Sequence, residues 1–108
     1  TLFLDGVTAR SCLTLAVQAD GAEITTIEGY ETDKKASDLI KNFHNRNALQ
    51  CGYCTPGMLA TSIEYIEKGN PADREKVKEH ISGNYCRCTG YQAIVDAICT
   101  TIEERQGR

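Results

Sequence analysis

Two short cysteine pairs constrain this chain more than any other feature. The first lies in Gln50-Cys51-Gly52-Tyr53-Cys54-Thr55-Pro56-Gly57 and the second in Gly83-Asn84-Tyr85-Cys86-Arg87-Cys88-Thr89-Gly90-Tyr91. Four thiols in two close pairs form a metal-ligating pattern. The flanks sharpen it. Thr55-Pro56 follows the first pair; threonine caps helices well, and proline suits a first helical position. Thr89 follows the second pair and precedes a long apolar-periodic run, so it is again a candidate N-cap. Each pair is therefore expected at the mouth of a helix. Unpaired N–H groups and a partial positive charge there favour an anionic centre. Spacing and flanks predict one [2Fe–2S] cluster on Cys51, Cys54, Cys86 and Cys88. At this level a structural zinc site on the same four thiolates stays open, in a helical interaction module with no redox role. The Cys86-x-Cys88 spacing is unusual for zinc. A secreted disulfide scaffold fits less well, because such modules are loop-rich and the second half here is helical in period.

Size and charge narrow the rest. The chain has 108 residues and a formal net charge of −3. That allows one or two small domains. A nucleic-acid binder would show a basic patch, and no run approaches the ~20 apolar residues of a membrane span. No Ser-His-Asp set or phosphate-binding loop is present, so the chain by itself is not expected to catalyse a reaction.

Residues 1–30 read as β. Leu2-Phe3-Leu4 and Val7-Thr8-Ala9 flank an Asp5-Gly6 turn, Ser11 to Val17 continues apolar, and Glu23 to Glu28 is rich in β-branched residues and ends at Gly29. Three strands with no helix against them make a poor core, so the cover of this sheet is expected to be missing or supplied by a partner. Residues 31–108 switch to helical period. Thr32 or Asp33 caps a first helix with Ala36, Leu39, Ile40 and Phe43 on one face. A second helix starts at Pro56 and carries Leu59, Ile63 and Ile66, with Gly69 just beyond it. Asn70-Pro71 opens a third, bearing Val77 and Ile81. A fourth runs from about Tyr91 with Ile94, Val95, Ile98 and Ile102 inward, and the polar tail Glu103 to Arg108 is expected to fray. The order of helices and cysteine loops implies a four-helix bundle with pseudo-twofold symmetry. The fold class is α+β, mainly α, with the halves meeting near Gly29 to Asp33.

Other residues have plainer readings. Gly52 lets a loop approach a cluster closely. Arg87 either offsets cluster charge or faces solvent. Tyr53, Tyr85 and Tyr91 are expected to shield the centre and pack its loops. His44 and His80 read as surface residues, Cys99 as a buried small hydrophobe, and Cys12 as a buried strand cysteine. Glu64 and Lys68 form an i,i+4 pair. Gln50 is, on its own, a polar loop residue.

The two cysteine motifs, quoted above and extended by Met58, resemble the signature loops of the iron–sulfur subunit of molybdenum hydroxylases. That family includes the xanthine dehydrogenases, aldehyde oxidoreductases and carbon monoxide dehydrogenases. Leu4-Asp5-Gly6 through Thr26-Ile27-Glu28-Gly29 resembles the last strands of that subunit's ferredoxin-like domain, so the likeness covers the whole chain. The resemblance implies that residues 1–30 are the C-terminal part of a plant-type ferredoxin-like domain and 31–108 a helical [2Fe–2S]-binding domain. Cys12 then matches the fourth ligand of a second [2Fe–2S] cluster whose other three ligands are not in this sequence. It implies that Gln50 and Cys88 meet the pterin of a large molybdopterin-binding subunit. Electrons would pass from the molybdenum cofactor through the helical-domain cluster to the second cluster, then to FAD on a flavin subunit. Substrate chemistry would belong to the large subunit. The setting implied is cytoplasmic, with no nucleic acid and no membrane span.

Overall fold

The structure, a computed structural model, describes residues 1–107. The chain begins with a hairpin, β1 (Leu2–Leu4) and β2 (Val7–Ala9). They meet at Asp5-Gly6, where both residues take positive φ (51° and 80°) and close a tight turn. The strands pair antiparallel with Phe3 opposite Thr8. A two-residue strand, β3 (Ile24–Thr25), pairs antiparallel with the other side of β1, giving the order β2-β1-β3.

The rest of the first thirty residues departs from the β reading. Ser11–Leu13 and Ala16–Ala19 are 3₁₀ turns rather than strand. Thr14 Oγ1 donates to Arg10 O at 2.8 Å, and Gln18 Oε1 accepts from Leu15 N at 2.9 Å, so local side-chain bonds take the groups a ladder would need. Leu13, Leu15 and Val17 gain no burial that would hold them extended, at 81%, 66% and 76% exposure. Ile27–Tyr30 forms a single helical turn, α1, with Gly29 inside it. Burial of Tyr30 selects that turn. Its hydroxyl donates to Pro56 O at 2.6 Å, and its ring meets Phe3 edge-on with centroids 5.6 Å apart. This burial, with the charges of Glu28 and Glu31, pushes the phenol pKa up to about 12.

Four longer helices follow. Helix α2 (Lys34–Asn45) is capped by Asp33, whose Oδ1 accepts from Lys35 N at 2.9 Å. Ala36, Leu39 and Phe43 are buried and Ile40 packs partly against them. Helix α3 (Thr55–Glu67) begins one residue earlier than expected, and Gly69 takes the left-handed turn after it (φ 74°). Helix α4 (Arg74–Ile81) starts later than the Asn70-Pro71 signal implied. Its cap is Asp73, which accepts from Glu75 N and Lys76 N. Asn70 instead donates to Tyr65 O at 2.9 Å, closing the end of α3. Helix α5 (Gln92–Gln106) buries Ile94, Val95, Ile98 and Ile102. It does not fray from Glu103 onward. Arg105 bridges Asp38 on α2 (2.7 and 2.8 Å) and Glu67 on α3 (3.0 Å), and also donates to Lys35 O. Arg108 lies outside the described residues.

The core lies among α2–α5, with Leu39, Phe43, Met58, Val77, Ile94 and Ile98 almost fully enclosed. Each such side chain contributes roughly 1.5–3 kcal/mol of burial. Cys99 is buried on α5 as expected. Asn42 is buried too, donating to Thr101 Oγ1 and Glu104 Oε2 on α5.

Contrary to the expectation of a missing or partner-supplied cover, the sheet is covered within the chain, because α1 and α3 pack against it. Its anchor is Glu64, buried on α3. The carboxylate accepts from Thr8 N (3.2 Å) and Thr8 Oγ1 (2.7 Å), with Lys68 Nζ at 3.3 Å and His80 Nε2 at 3.4 Å. His80 is thus half-buried rather than a plain surface residue: it packs against the Tyr65 ring (centroids 5.1 Å) and faces Glu64 from α4. Its periodic neighbours gave no sign of this, since the contact partner lies on another helix. His44 is exposed as expected.

Candidate metal centre

The first cysteine loop is held mainly by backbone. Cys54 is itself the N-cap of α3, with Pro56 in the first turn. Gly52 sits at φ 80°, a conformation that a side chain would strain. Its carbonyl accepts from Thr55 N at 3.3 Å, and Tyr53 N points at Cys51 Sγ at 3.5 Å.

The second loop is held mainly by side chains. Cys86 N donates to Tyr91 Oη at 3.0 Å. Thr89 N donates to Cys86 Sγ at 3.3 Å, and the Thr89 hydroxyl lies 3.1 Å from the same sulfur. Tyr91 N donates to Thr89 Oγ1 at 3.2 Å. Thr89 therefore does not cap α5. The cap position is Tyr91, in a left-handed conformation (φ 69°) and without a side-chain cap bond. Neither expected threonine cap forms: Thr55 lies inside α3 behind Cys54, which caps without a side-chain bond, so only the placing of the first pair at a helix mouth holds.

Two contacts bring the loops together. Gln50 Nε2 donates to Cys88 O at 3.2 Å. Asn84 Nδ2 donates to Thr61 Oγ1 on α3 at 2.8 Å. The close approach depends on Gly57, since a Cβ there would fall 2.7 Å from Asn84 Oδ1.

Cys51, Cys54, Cys86 and Cys88 line one cleft of about 400 Å³, with Tyr53, Tyr85, Arg87 and Tyr91 around it. Cys54 lies beside Cys86 and Cys51 beside Cys88, each pair drawing one thiol from each loop. Among the described residues no three His, Cys, Asp or Glu side chains stand close enough to hold a single metal ion. Two thiol pairs on one cleft can offer two thiolates to each of two irons.

The environments of the thiols differ. Burial, then the neighbouring Cys86 thiol, pushes Cys54 up to about 11. Burial also opposes ionisation of Cys86. The Thr89 hydroxyl and N–H, the Cys88 N–H and the Cys54 thiol outweigh it and bring the pKa down to about 7. Metal loading replaces these thiol protons, so it releases protons to solvent.

Several flanking residues depart from expectation. Tyr53 and Tyr85 border the cleft but are 93% and 85% exposed; Tyr91 is half-buried and braces Cys86. Arg87 faces solvent. Cys12 is exposed in a 3₁₀ turn rather than buried in a strand, and it does not line the cleft. The roles of Asn84 and of the Thr89 hydroxyl escaped the sequence reading. Both lie inside the second motif, but their partners are set by the loop's folded path.

Residues 26–99 match the family described as the [2Fe–2S] binding domain. The chain belongs to this family. It is 48% identical over 98 residues to the nicotine 6-hydroxylase small subunit of Paenarthrobacter nicotinovorans, covering 91% of this chain and 59% of that one. It is 38% identical over 100 residues to the xanthine dehydrogenase iron–sulfur-binding subunit of Escherichia coli O157:H7, covering 91% and 63%. Its fold matches a chain in the crystal structure of quinoline 2-oxidoreductase from Pseudomonas putida 86, with a TM-score of 0.82 and 46% identity. That match covers 98% of this chain and 67% of the other. The chain spans about 60% of the length of the curated relatives it matches. The resemblance to iron–sulfur subunits is borne out, and the zinc-module reading gives way to it. The six cysteines are free of disulfides. Among the described residues no helix is long and apolar enough to cross a membrane.

Proposed function

We propose that this chain is the electron-transfer iron–sulfur part of a molybdopterin-dependent oxidoreductase, with Cys51, Cys54, Cys86 and Cys88 as ligands of one [2Fe–2S] cluster. The observation that carries this is the convergence of the four thiols on one cleft in two couples, in a chain of the [2Fe–2S]-binding family. When bound, the cluster supplies a one-electron carrier between a molybdenum cofactor and a second [2Fe–2S] cluster or flavin.

The protein's own residues position and solvate that carrier. The mouth of α3 aims the Cys54 end at the cleft, and donors from Thr89 and Tyr53 reach the ligand sulfurs. Gln50 and Cys88 lie together on the exposed side of the two loops, which suits them to meet the pterin of a large partner subunit. The exposed rings of Tyr53 and Tyr85 extend the same surface. A flavin subunit and FAD complete the expected complex, in the cytoplasm. Substrate binding is assigned to the partner.

The division into 1–30 and 31–108 belongs to the same reading, supported by the change from strands and short turns to long helices. So does the pseudo-twofold bundle. Helix α2 packs on α3 and α5, and α4 packs on the same two. Cys12 is read as the fourth ligand of a second cluster, in keeping with its exposure, and that cluster requires the remaining ligands of a ferredoxin-like half.

Metal and acid-labile sulfide analysis of anaerobically purified protein, with its visible spectrum, tests the reading. Two irons and two sulfides per chain with a dithionite-bleachable reddish-brown colour are expected. Four irons would show that a complete ferredoxin half accompanies the sample. A colourless protein holding one zinc would overturn the electron-transfer role.

A further inference from the structure

The second cysteine loop contains a side-chain hydroxyl aimed at a ligand sulfur. Among the described residues, Thr89 is alone in placing one there, with Oγ1 3.1 Å from Cys86 Sγ. The direction of the bond follows from its surroundings. Tyr91 N donates into Thr89 Oγ1 at 3.2 Å, so one lone pair of that oxygen is taken. A metal-bound thiolate carries no proton, so in the loaded protein only the hydroxyl can donate across the 3.1 Å contact. The backbone N–H of Thr89 reaches the same sulfur at 3.3 Å. Cys86 thus receives two donors from one residue.

We propose that the Thr89 hydroxyl is a positioning and tuning residue, whose hydrogen bond to Cys86 raises the reduction potential of the cluster. The inference rests on the ligand assignment proposed above. One-electron reduction adds negative charge to the iron–sulfur unit, part of which resides on the ligand sulfurs. A fixed donor at such a sulfur stabilises the reduced state more than the oxidised one. The donor is fixed here. Threonine has a restricted χ1, Tyr91 N holds its oxygen, and the Cys86 N–H to Tyr91 Oη bond closes the loop around both. Thr89 is also half-buried, so water competes poorly for the bond.

The test uses the intact protein with its partner subunits and compares wild type with Thr89→Val, Thr89→Ala and Thr89→Ser. Iron and sulfide are measured on each sample, and the cluster is titrated potentiometrically by electron paramagnetic resonance, which reads only loaded centres. Thr89→Val and Thr89→Ala are expected to lower the ratio of reduced to oxidised cluster at a fixed poise by about tenfold, which is 59 mV for one electron. Thr89→Ser should recover most of that loss, because it restores the donor. A purely structural role would lower iron content without moving the potential of the remaining centres, and would overturn the proposal. So would unchanged potentials at full iron content, with the ligand assignment left standing. An iron-free wild-type protein would overturn the ligand assignment and this inference together.

Discussion

The two cysteine loops do the same work by different means. The first is an extension of α3: Cys54 is the helix cap, Gly52 makes the left-handed turn, and its fixing bonds are backbone bonds. The second stops short of α5, whose first residue is Gln92, and is held by a set of side chains, Thr89, Tyr91 and Asn84. The difference teaches that a ligand can be positioned by helix geometry, which tolerates many side chains, or by a small polar network, which does not. The second loop should therefore be the more sensitive to single substitutions outside its cysteines.

The largest effect expected is at a ligand shared between the loops. Cys88→Ser removes one member of the Cys51–Cys88 couple and should abolish the visible cluster spectrum; an unchanged spectrum would remove Cys88 from the ligand set.

Glu64 separates the support of the sheet from the support of the loops. Burial alone would raise its pKa, but the Thr8 hydroxyl and N–H and Lys68 outweigh it and hold the carboxyl below its ordinary value. A depressed carboxyl contributes stability that is fully present above the unfolded pKa. That stability is lost as pH falls through the lower folded value. Glu64→Gln should cost about 1.5–3 kcal/mol near neutral pH, the range for hydrogen bonds to a charged group. The gap to wild type should close in acid. Thermal melts from neutral pH down into acid check the sign, and the cluster spectrum at neutral pH should be unaffected.

Gly57→Ala attacks the contact between the loops. Its Cβ would meet Asn84 Oδ1 at 2.7 Å, and Asn84 is held by Thr61, so the side chain cannot simply swing away. A destabilisation of about 1–3 kcal/mol is expected from overpacking. Denaturant unfolding measures it, and a neutral result would mean the loops are less firmly clamped than the contact implies.

The smallest effects give the direct contrast. Tyr91→Phe removes the acceptor for Cys86 N and should cost about 1 kcal/mol in the second loop. Tyr53→Ala in the first loop removes a 93% exposed ring and should stay within about 0.5 kcal/mol in the isolated chain. Equal effects in parallel melts would erase the distinction between the loops.

Much of this molecule was legible along the chain. The cysteine spacing, the apolar faces of α2, α3 and α5, the Asp33 cap and the Gly69 stop are local features, and the folded chain realises them. The errors also have local causes. Thr89 and Asn70 look like caps because their side chains suit that position, yet each finds a better partner: the Cys86 sulfur for Thr89 and the Tyr65 carbonyl for Asn70. Ser11 to Val17 looks like strand because it is apolar, yet no packing partner among the described residues holds it extended.

The sequence by itself determined which residues could bind a metal and which stretches would be helical, because ligand type and helix period are properties of neighbours along the chain. Tertiary structure alone decided which thiols couple across the cleft, that His80 turns inward to Glu64, and that Arg105 pins the end of α5. Each of those contacts joins separate elements, and its geometry exists only once the helices have packed.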